Sequence, residues 1–238
     1  MEASAPYKAL LVGATGLVGA SLLRQLLQDS RCSAVTILVR RPLRPPADES
    51  GSNRKLTVIT ADFDRMDEAL AGVEADIVFC TLGTTIKKAK TQEAFRQVDL
   101  AYPVAIGEWA ARHGAAKMII VSAMGANASS SIFYNRVKGE MEAQLSALGL
   151  RELHIVRPSL LLGKREEFRL GEKAGILLTP LLKLFMQGAL RKYRPVEAED
   201  VAAFMVSLCR QGITITGQEA GTFVKIYEND AIHAKIQL

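Results

Sequence analysis

The sequence predicts an α/β protein built on a doubly wound, mostly parallel sheet. Short apolar runs typical of buried strands alternate with segments whose apolar residues have helical spacing. A glycine-rich turn joins the first strand to the first helix, and a length of 238 residues suits one such domain with a full core. The alternation implies right-handed βαβ crossovers and a sheet that helices cover on both faces.

Seven apolar runs are predicted to be the strands of this sheet, at residues 8–12, 34–39, 56–60, 76–80, 117–122, 153–156 and 222–227. Helices are predicted over 16–28 and 196–210 from the spacing of their apolar residues. Thr91 is typical of an N-cap and predicts a long helix to about Arg112. One more helix, carrying the segment YNRVK, is expected between the fifth and sixth strands.

Composition and charge exclude several classes of function. The net charge of +5 is mild, and the basic clusters at 40–44 and 87–90 have no interleaved aromatic residues, so no nucleic-acid partner is expected. The three cysteines, Cys32, Cys80 and Cys209, are widely spaced, as are the three histidines. This spacing argues against a disulfide framework and against a metal site.

The chain carries no pattern typical of secretion or membrane insertion. Its beginning, MEASAPYK, lacks a basic region followed by an apolar core, so it is not a secretory signal. The most apolar stretch, 174–190, contains Pro180 and Lys183 and is too short and interrupted to span a bilayer. We therefore expect a cytoplasmic protein without a membrane span.

The glycine-rich turn has the sequence GATGLVG and contains Gly13, Gly16 and Gly19. Glycine permits a positive φ and leaves no Cβ between the chain and a ligand. The start of the next helix offers unpaired N–H groups and the positive end of its dipole to a pyrophosphate, while Gly19 allows close packing of that helix on the sheet. The turn therefore predicts a dinucleotide site in a Rossmann fold.

The end of the second strand indicates which dinucleotide is bound. An acidic residue there would bind the ribose 2′-hydroxyl of NAD, whereas arginine accommodates the 2′-phosphate of NADP. Here the strand runs directly into Arg40 and Arg41, with no acidic residue before Asp48. Guanidinium groups form charge-assisted hydrogen bonds with a phosphate, so the predicted cofactor is NADP(H).

Tyr134 and Lys138 are candidate catalytic residues on the helix after the fifth strand. Positions i and i+4 share one helix face, about 5–6 Å apart at Cβ. A nearby ammonium favours the phenolate and lowers a tyrosine pKa by about 1–3 units, which brings it closer to neutral pH. Ser122 is expected at the carboxyl end of the fifth strand, where its hydroxyl could hold a carbonyl oxygen.

Together, GATGLVG, VSA at 121–123 and YNRVK resemble the short-chain dehydrogenase/reductase superfamily, in particular its atypical and extended members. The resemblance covers most of the chain and is closest to the oxidoreductase branch typified by the HIV Tat-interacting protein and its bacterial relatives. It implies Ser122, Tyr134 and Lys138 as the catalytic triad. The cofactor contacts that it implies, together with those above, are Gly13, Thr15, Gly16, Leu17, Val18, Gly19, Arg40, Arg41, Asp62, Phe63, Thr81, Leu82, Gly83, Tyr134, Lys138, Arg157 and Pro158.

One residue departs from the superfamily pattern. Many members have an asparagine in the fourth helix that completes a proton relay, and here Asp99 stands in the segment QVDLAYP. An aspartate at this position could still order water.

No linker divides the sequence, so residues 1–238 are predicted to form a single NAD(P)-binding domain. Residues 159–194 break the alternation of strands and helices and form the expected substrate-side segment over the nicotinamide. The apolar stretch 174–190 is either a mobile lid that excludes water or a helix packed permanently on the core. Lys164, Arg165 and Arg169 could meet an anionic substrate.

The sequence favours an NADPH-dependent carbonyl reductase with a small-molecule substrate, acting as a monomer or homodimer. A second hypothesis is an NADPH-binding regulator with little turnover and a protein partner. A sugar epimerase or dehydratase is a weaker third, since the substrate-side segment is shorter than such enzymes use.

Overall fold

A computed structural model of the protein describes residues 6–43, 52–163, 193–209 and 223–236. The nine strands of the described ranges are β1 Tyr7–Val12, β2 Cys32–Val39, β3 Leu56–Thr60, β4 Ile77–Cys80, β5 Lys117–Val121, β6 Glu152–Arg157, β7 Leu161–Leu162, β8 Val196–Glu197 and β9 Phe223–Glu228. Seven of them form one sheet in the order β3-β2-β1-β4-β5-β6-β9, and all its pairings are parallel. The predicted doubly wound parallel sheet is confirmed.

Helices cover both faces of this sheet. They are α1 Leu17–Gln28, α2 Met66–Ala69, α3 Ile86–Ala89, α4 Gln92–Arg96, α5 Tyr102–Arg112, α6 Phe133–Ser146, α7 Ala198–Leu208 and α8 Asn229–Ile236. Strands β7 and β8 pair with each other apart from the main sheet. Among the described helices, none combines the length and apolar character that a membrane crossing requires.

The buried side chains form two clusters, one on each face of the sheet. On β1, Ala9 and Leu11 belong to the cluster under α1 and α7, while Leu10 and Val12 belong to the cluster under α5 and α6. Strands buried on both faces need apolar residues at every position, which explains why they appear in the sequence as continuous apolar runs.

The predicted long helix from Thr91 to about Arg112 is confirmed, as a continuous helical run over residues 92–112. Thr91 caps it as expected, since its Oγ1 accepts a hydrogen bond of 3.1 Å from the backbone N–H of Ala94. However, a π-helical turn at Gln97–Ala101 separates α4 from α5. A π-turn contains an extra residue and is frequent at functional sites. It contains Asp99, which is only 1% exposed.

The strand order places a crevice at one end of the sheet. The chain moves outward from β1 to β2 and β3 on one side and then crosses to β4 on the other. Ligands of doubly wound sheets bind at such a switch point, outside the carboxyl ends of the strands. The loops after β1, β2 and β4 all start at this edge. Most of the predicted substrate-side segment, including 174–190 and Lys164, Arg165 and Arg169, lies outside the described residues.

Candidate functional site

The glycine turn holds β1, α1 and the loop after β4 in very close contact. Gly13 has a φ of +96°, and a Cβ on it would lie 2.7 Å from the carbonyl carbon of Thr81. A Cβ on Gly19 would lie 2.1 Å from the carbonyl oxygen of Gly13. The Thr81 hydroxyl donates to the carbonyls of Val12 and Gly13 at 3.2 and 3.1 Å. Both glycines are therefore required by the packing of the protein itself.

Gly16 differs, because the protein leaves space at this position. A Cβ there would meet the carbonyl oxygen of Gly13 at 3.4 Å, which is an ordinary contact. Gly16 is the N-cap of α1, where no side chain caps the helix and no acidic residue occupies the first turn. The free space and the uncapped helix start fit a pyrophosphate. Val18 is buried in the core, so only its backbone could take part.

Alanine substitutions at Gly16 and Gly19 are expected to separate ligand contact from folding. Gly16→Ala should cost at most about 1 kcal/mol of folding stability, as for an alanine N-cap, yet weaken cofactor binding at least about tenfold. Gly19→Ala should lower stability markedly, because its Cβ overlaps the carbonyl of Gly13. Thermal unfolding and cofactor titration of both variants test this. Unchanged cofactor affinity in Gly16→Ala would contradict a pyrophosphate at this turn.

Basic and aromatic side chains mark the ends of β2 and β3. Arg40 and Arg41 are exposed, and the guanidinium of Arg40 lies over the ring of Phe63, 5.9 Å from its centroid. Asp62 is exposed and caps the following turn by accepting a 3.1 Å hydrogen bond from the backbone N–H of Asp64. The predicted contacts for the adenosine half of the cofactor therefore lie on adjacent strands at one edge.

Tyr134 and Lys138 lie on α6, which faces the loop after β4. The ring of Tyr134 packs against Phe95 of α4, with centroids 5.7 Å apart. Gly139, the residue after Lys138, fixes the height of the helix, because a Cβ there would lie 2.1 Å from the backbone nitrogen of Ala128 in the loop after β5. The sequence thus places the phenol and the ammonium on one helix that packing holds in position.

Lys138 forms a buried ion pair with Asp99. Its Nζ lies 2.7 Å from Asp99 Oδ1, and the two side chains are only 3% and 1% exposed. Asp99 Oδ2 accepts a 2.8 Å hydrogen bond from the backbone N–H of Thr84. Burial alone would lower the pKa of Lys138, but the charges of Asp99 and Tyr134 and the hydrogen bond to Asp99 raise it. These interactions favour the cationic form of the lysine, whose charge is paired with that of Asp99.

Ser122 belongs to a second buried cluster. Its hydroxyl donates to Glu142 Oε1 at 2.5 Å, and Arg157 donates to both oxygens of the same carboxylate, at 3.0 and 2.5 Å. Arg157 also pairs with Glu228 at 2.9 Å, and these partners raise its pKa, with the hydrogen bond to Glu142 as the largest cause. A serine hydroxyl can donate one hydrogen bond, and here Glu142 accepts it. Polarising a carbonyl would require this hydroxyl to turn.

The remaining predicted contacts lie close to these groups. Leu82 and Gly83 connect Thr81 to Thr84, and a Cβ on Gly83 would lie 3.5 Å from Asp99 Oδ1. The carbonyl of Pro158 accepts a 3.0 Å hydrogen bond from the backbone N–H of Met124. Sequence reasoning missed Glu142. Glu142 follows Tyr134 by eight residues and lies on the same helix face as Lys138. This spacing could have indicated that Glu142 belongs to the site.

Comparisons with known proteins identify the family of the chain. Residues 13–211 match the family model described as NAD(P)H-binding. The chain is 31% identical over 207 residues to protein FMP52, mitochondrial, of Candida albicans. The aligned region covers 85% of this chain and 88% of that protein. It is 37% identical over 163 residues to protein HTATIP2 of Rattus norvegicus, covering 68% and 66% of the two chains.

Solved structures resemble the fold at low sequence identity. MoeE5 in complex with UDP-glucose and NAD has a TM-score of 0.64 at 15% identity, covering 93% of this chain and 76% of that one. The Bordetella bronchiseptica enzyme WbmG in complex with NAD has a TM-score of 0.62 at 15% identity, covering 100% and 81%. These similarities show the same fold.

The expectation of a cytoplasmic protein is wrong. The FMP52 relatives of Candida albicans, Eremothecium gossypii and Debaryomyces hansenii are all named mitochondrial. The expectation was based on the lack of a secretory signal and of a membrane span. Neither absence says to which compartment a protein is delivered.

Proposed function

We propose that this chain, which belongs to the NAD(P)H-binding family as an atypical short-chain dehydrogenase/reductase, is an NADPH-dependent oxidoreductase that transfers hydride to a carbonyl compound. The observation that carries the proposal is the placement of Tyr134 and Lys138 on one face of α6, beside the loop after β4 that packs on the glycine turn. The domain is proposed to be single, with residues 159–194 on the substrate side.

In this proposal the bound cofactor supplies the hydride, and side chains of the chain supply the proton. The backbone of Gly13, Gly16 and Gly19 holds the pyrophosphate, and the loop Thr81–Gly83 faces the nicotinamide half. Tyr134 donates its phenolic proton to the oxygen of the reduced carbonyl. Lys138 lies one turn away and fixes the electrostatic environment of that phenol.

The choice of NADPH over NADH is proposed from Arg40 and Arg41. The stacking of Arg40 on Phe63 holds one guanidinium at the edge where the adenosine ribose would lie. Arg40 occupies the position directly after β2, where an acidic residue would bind a 2′-hydroxyl and repel a 2′-phosphate. A guanidinium can form two charge-assisted hydrogen bonds with a 2′-phosphate, whereas a 2′-hydroxyl carries no charge to pair with it.

A cofactor titration tests this choice. The wild type is expected to bind NADPH at least about tenfold more tightly than NADH, and Arg40→Ala/Arg41→Ala should remove that difference by weakening NADPH alone. Arg54→Ala/Arg65→Ala is the matched control, since it removes two exposed arginines elsewhere. Equal affinity of the wild type for both cofactors would reject the NADP assignment.

A second candidate, an NADPH-binding regulator with little turnover, is favoured by one observation. Lys138 and the hydroxyl of Ser122 are both engaged by carboxylates of the protein, Asp99 and Glu142. If NADPH binds tightly but a broad panel of aldehydes, ketones and quinones causes no NADPH oxidation, this candidate replaces the reductase. Oxidation with any member of the panel excludes it.

A further inference from the structure

The ion pair between Asp99 and Lys138 joins three parts of the candidate site. Asp99 lies on the π-turn after α4, Lys138 on α6, and the backbone N–H of Thr84 on the loop after β4. Both charged side chains are almost completely buried. Burying a charge is costly unless it is paired and hydrogen-bonded, so a pair retained here needs an explanation.

Three titratable side chains, each on a different element, act on the ammonium of Lys138. Asp99 faces it from the π-turn, Tyr134 from its own helix and Cys80 from β4. Burial raises the pKa of Cys80 to about 11, so this thiol carries no charge at pH 7. The carboxylate of Asp99 is therefore the anion that balances Lys138.

The balance matters for Tyr134. An unpaired ammonium one helical turn away would favour the phenolate, which accepts a proton. A carboxylate 2.7 Å from the same ammonium cancels most of that field in a region of low dielectric constant. A tyrosine beside a neutral pair keeps its proton over a wider pH range.

We propose that Asp99 is a positioning residue that neutralises Lys138 and thereby keeps Tyr134 in its protonated form, which sets the site for carbonyl reduction rather than alcohol oxidation. Asp99 also fixes the ammonium in position, because its second oxygen is anchored by Thr84. The direction of the reaction rests on the proposed function. The protonation state of Tyr134 does not, and it can be measured without substrate.

The experiment is a pH titration of the protein labelled with ¹³C at the tyrosine Cζ, followed by NMR. Tyr134→Phe identifies the resonance of the phenol among the five tyrosines. Asp99→Asn retains an oxygen for Thr84 but removes the negative charge. The phenol of Tyr134 is expected to titrate about one pH unit lower in this variant than in the wild type, a tenfold change in its dissociation constant.

Two more variants complete a cycle that remains informative if Asp99→Asn does not fold. Lys138→Met leaves the carboxylate alone and should move the titration of Tyr134 to higher pH. Adding Asp99→Asn to Lys138→Met should bring it back towards the wild-type value. Asp64→Asn is the matched control, because Asp64 accepts a 3.0 Å hydrogen bond from a different tyrosine, Tyr102. It should leave Tyr134 unchanged.

The outcomes are distinct. A Tyr134 midpoint that does not fall in Asp99→Asn, or that does not fall when Asp99→Asn is added to Lys138→Met, overturns the role of Asp99. If the midpoints move as expected while no carbonyl compound oxidises NADPH, the role of Asp99 stands and the proposed reductase activity fails. If turnover is found, its alkaline limit should move to lower pH in Asp99→Asn together with the NMR midpoint.

Discussion

Replacement of Tyr134 by phenylalanine is expected to lower turnover by about 10²–10⁴-fold while NADPH binding is retained. The substitution removes the hydroxyl that donates the proton. It keeps the ring that packs against Phe95, so the structure around the site should survive. Steady-state NADPH oxidation measures the first effect, and fluorescence titration with NADPH the second. A fall in the maximal rate with little change in cofactor affinity is the result that the mechanism requires.

Tyr7→Phe is the matched control for this experiment. Tyr7 lies at the opposite end of β1 from the glycine turn, and its hydroxyl donates to Asp29 at 3.2 Å. The chemical change is the same, but it is far from the crevice, so turnover should remain close to that of the wild type. Full activity in Tyr134→Phe would exclude this phenol as the proton donor and leave the reductase mechanism without its central group.

Glu152→Gln is expected to produce the largest loss of stability, about 3–5 kcal/mol of unfolding free energy and about 10 °C in Tm. Glu152 lies 3.0 Å from the Nζ of Lys117, and both side chains are 2% exposed. It also contacts His154 at 3.1 Å. The neutral amide would remove the buried negative charge that lies 3.0 Å from the ammonium of Lys117, while that ammonium stays buried.

Two controls assign this loss to the unbalanced charge. Lys117→Met/Glu152→Met removes both charges and should recover much of the stability, because apolar replacements of buried pairs are often neutral or stabilising. Glu74→Gln breaks the exposed pair of Glu74 with Lys8 and should leave Tm almost unchanged. Thermal and urea unfolding compare the variants. If Glu152→Gln is as stable as Glu74→Gln, the buried pair is not what stabilises this end of the sheet.

The residues behind these two predictions lie at opposite edges of the sheet. Lys117 and Glu152 are the first residues of β5 and β6, whereas the candidate site lies at the carboxyl ends of the strands. Variants of the first pair should therefore lower stability without changing cofactor specificity. Tyr134→Phe should instead lower turnover, and Arg40→Ala/Arg41→Ala should change cofactor specificity. Both should leave stability nearly unchanged, since the first keeps the ring that packs against the core and the two arginines are exposed.

The sequence could predict the features that depend on local pattern. Strands buried on both faces require apolar residues at every position, so their order and approximate bounds could be recognised from the sequence. The packing leaves no room for a side chain at positions 13 and 19, so glycine is required there, and its spacing marks the turn in the sequence. The spacing of Tyr134 and Lys138 placed them on one helix face, as the structure has them.

Contacts between residues distant in the sequence could not be predicted in this way. The π-turn at Gln97–Ala101 brings Asp99 to Lys138, 39 positions later, and this pairing changes the expected effect of the ammonium on Tyr134. Similarly, Glu142 accepts the hydrogen bond of the Ser122 hydroxyl across 20 positions. Sequence periodicity shows on which face a side chain lies, but the packing of separate elements decides which charge meets it. Local sequence patterns thus predicted the scaffold and the candidate phenol, whereas packing between elements far apart in the chain sets how the charges around that phenol are balanced.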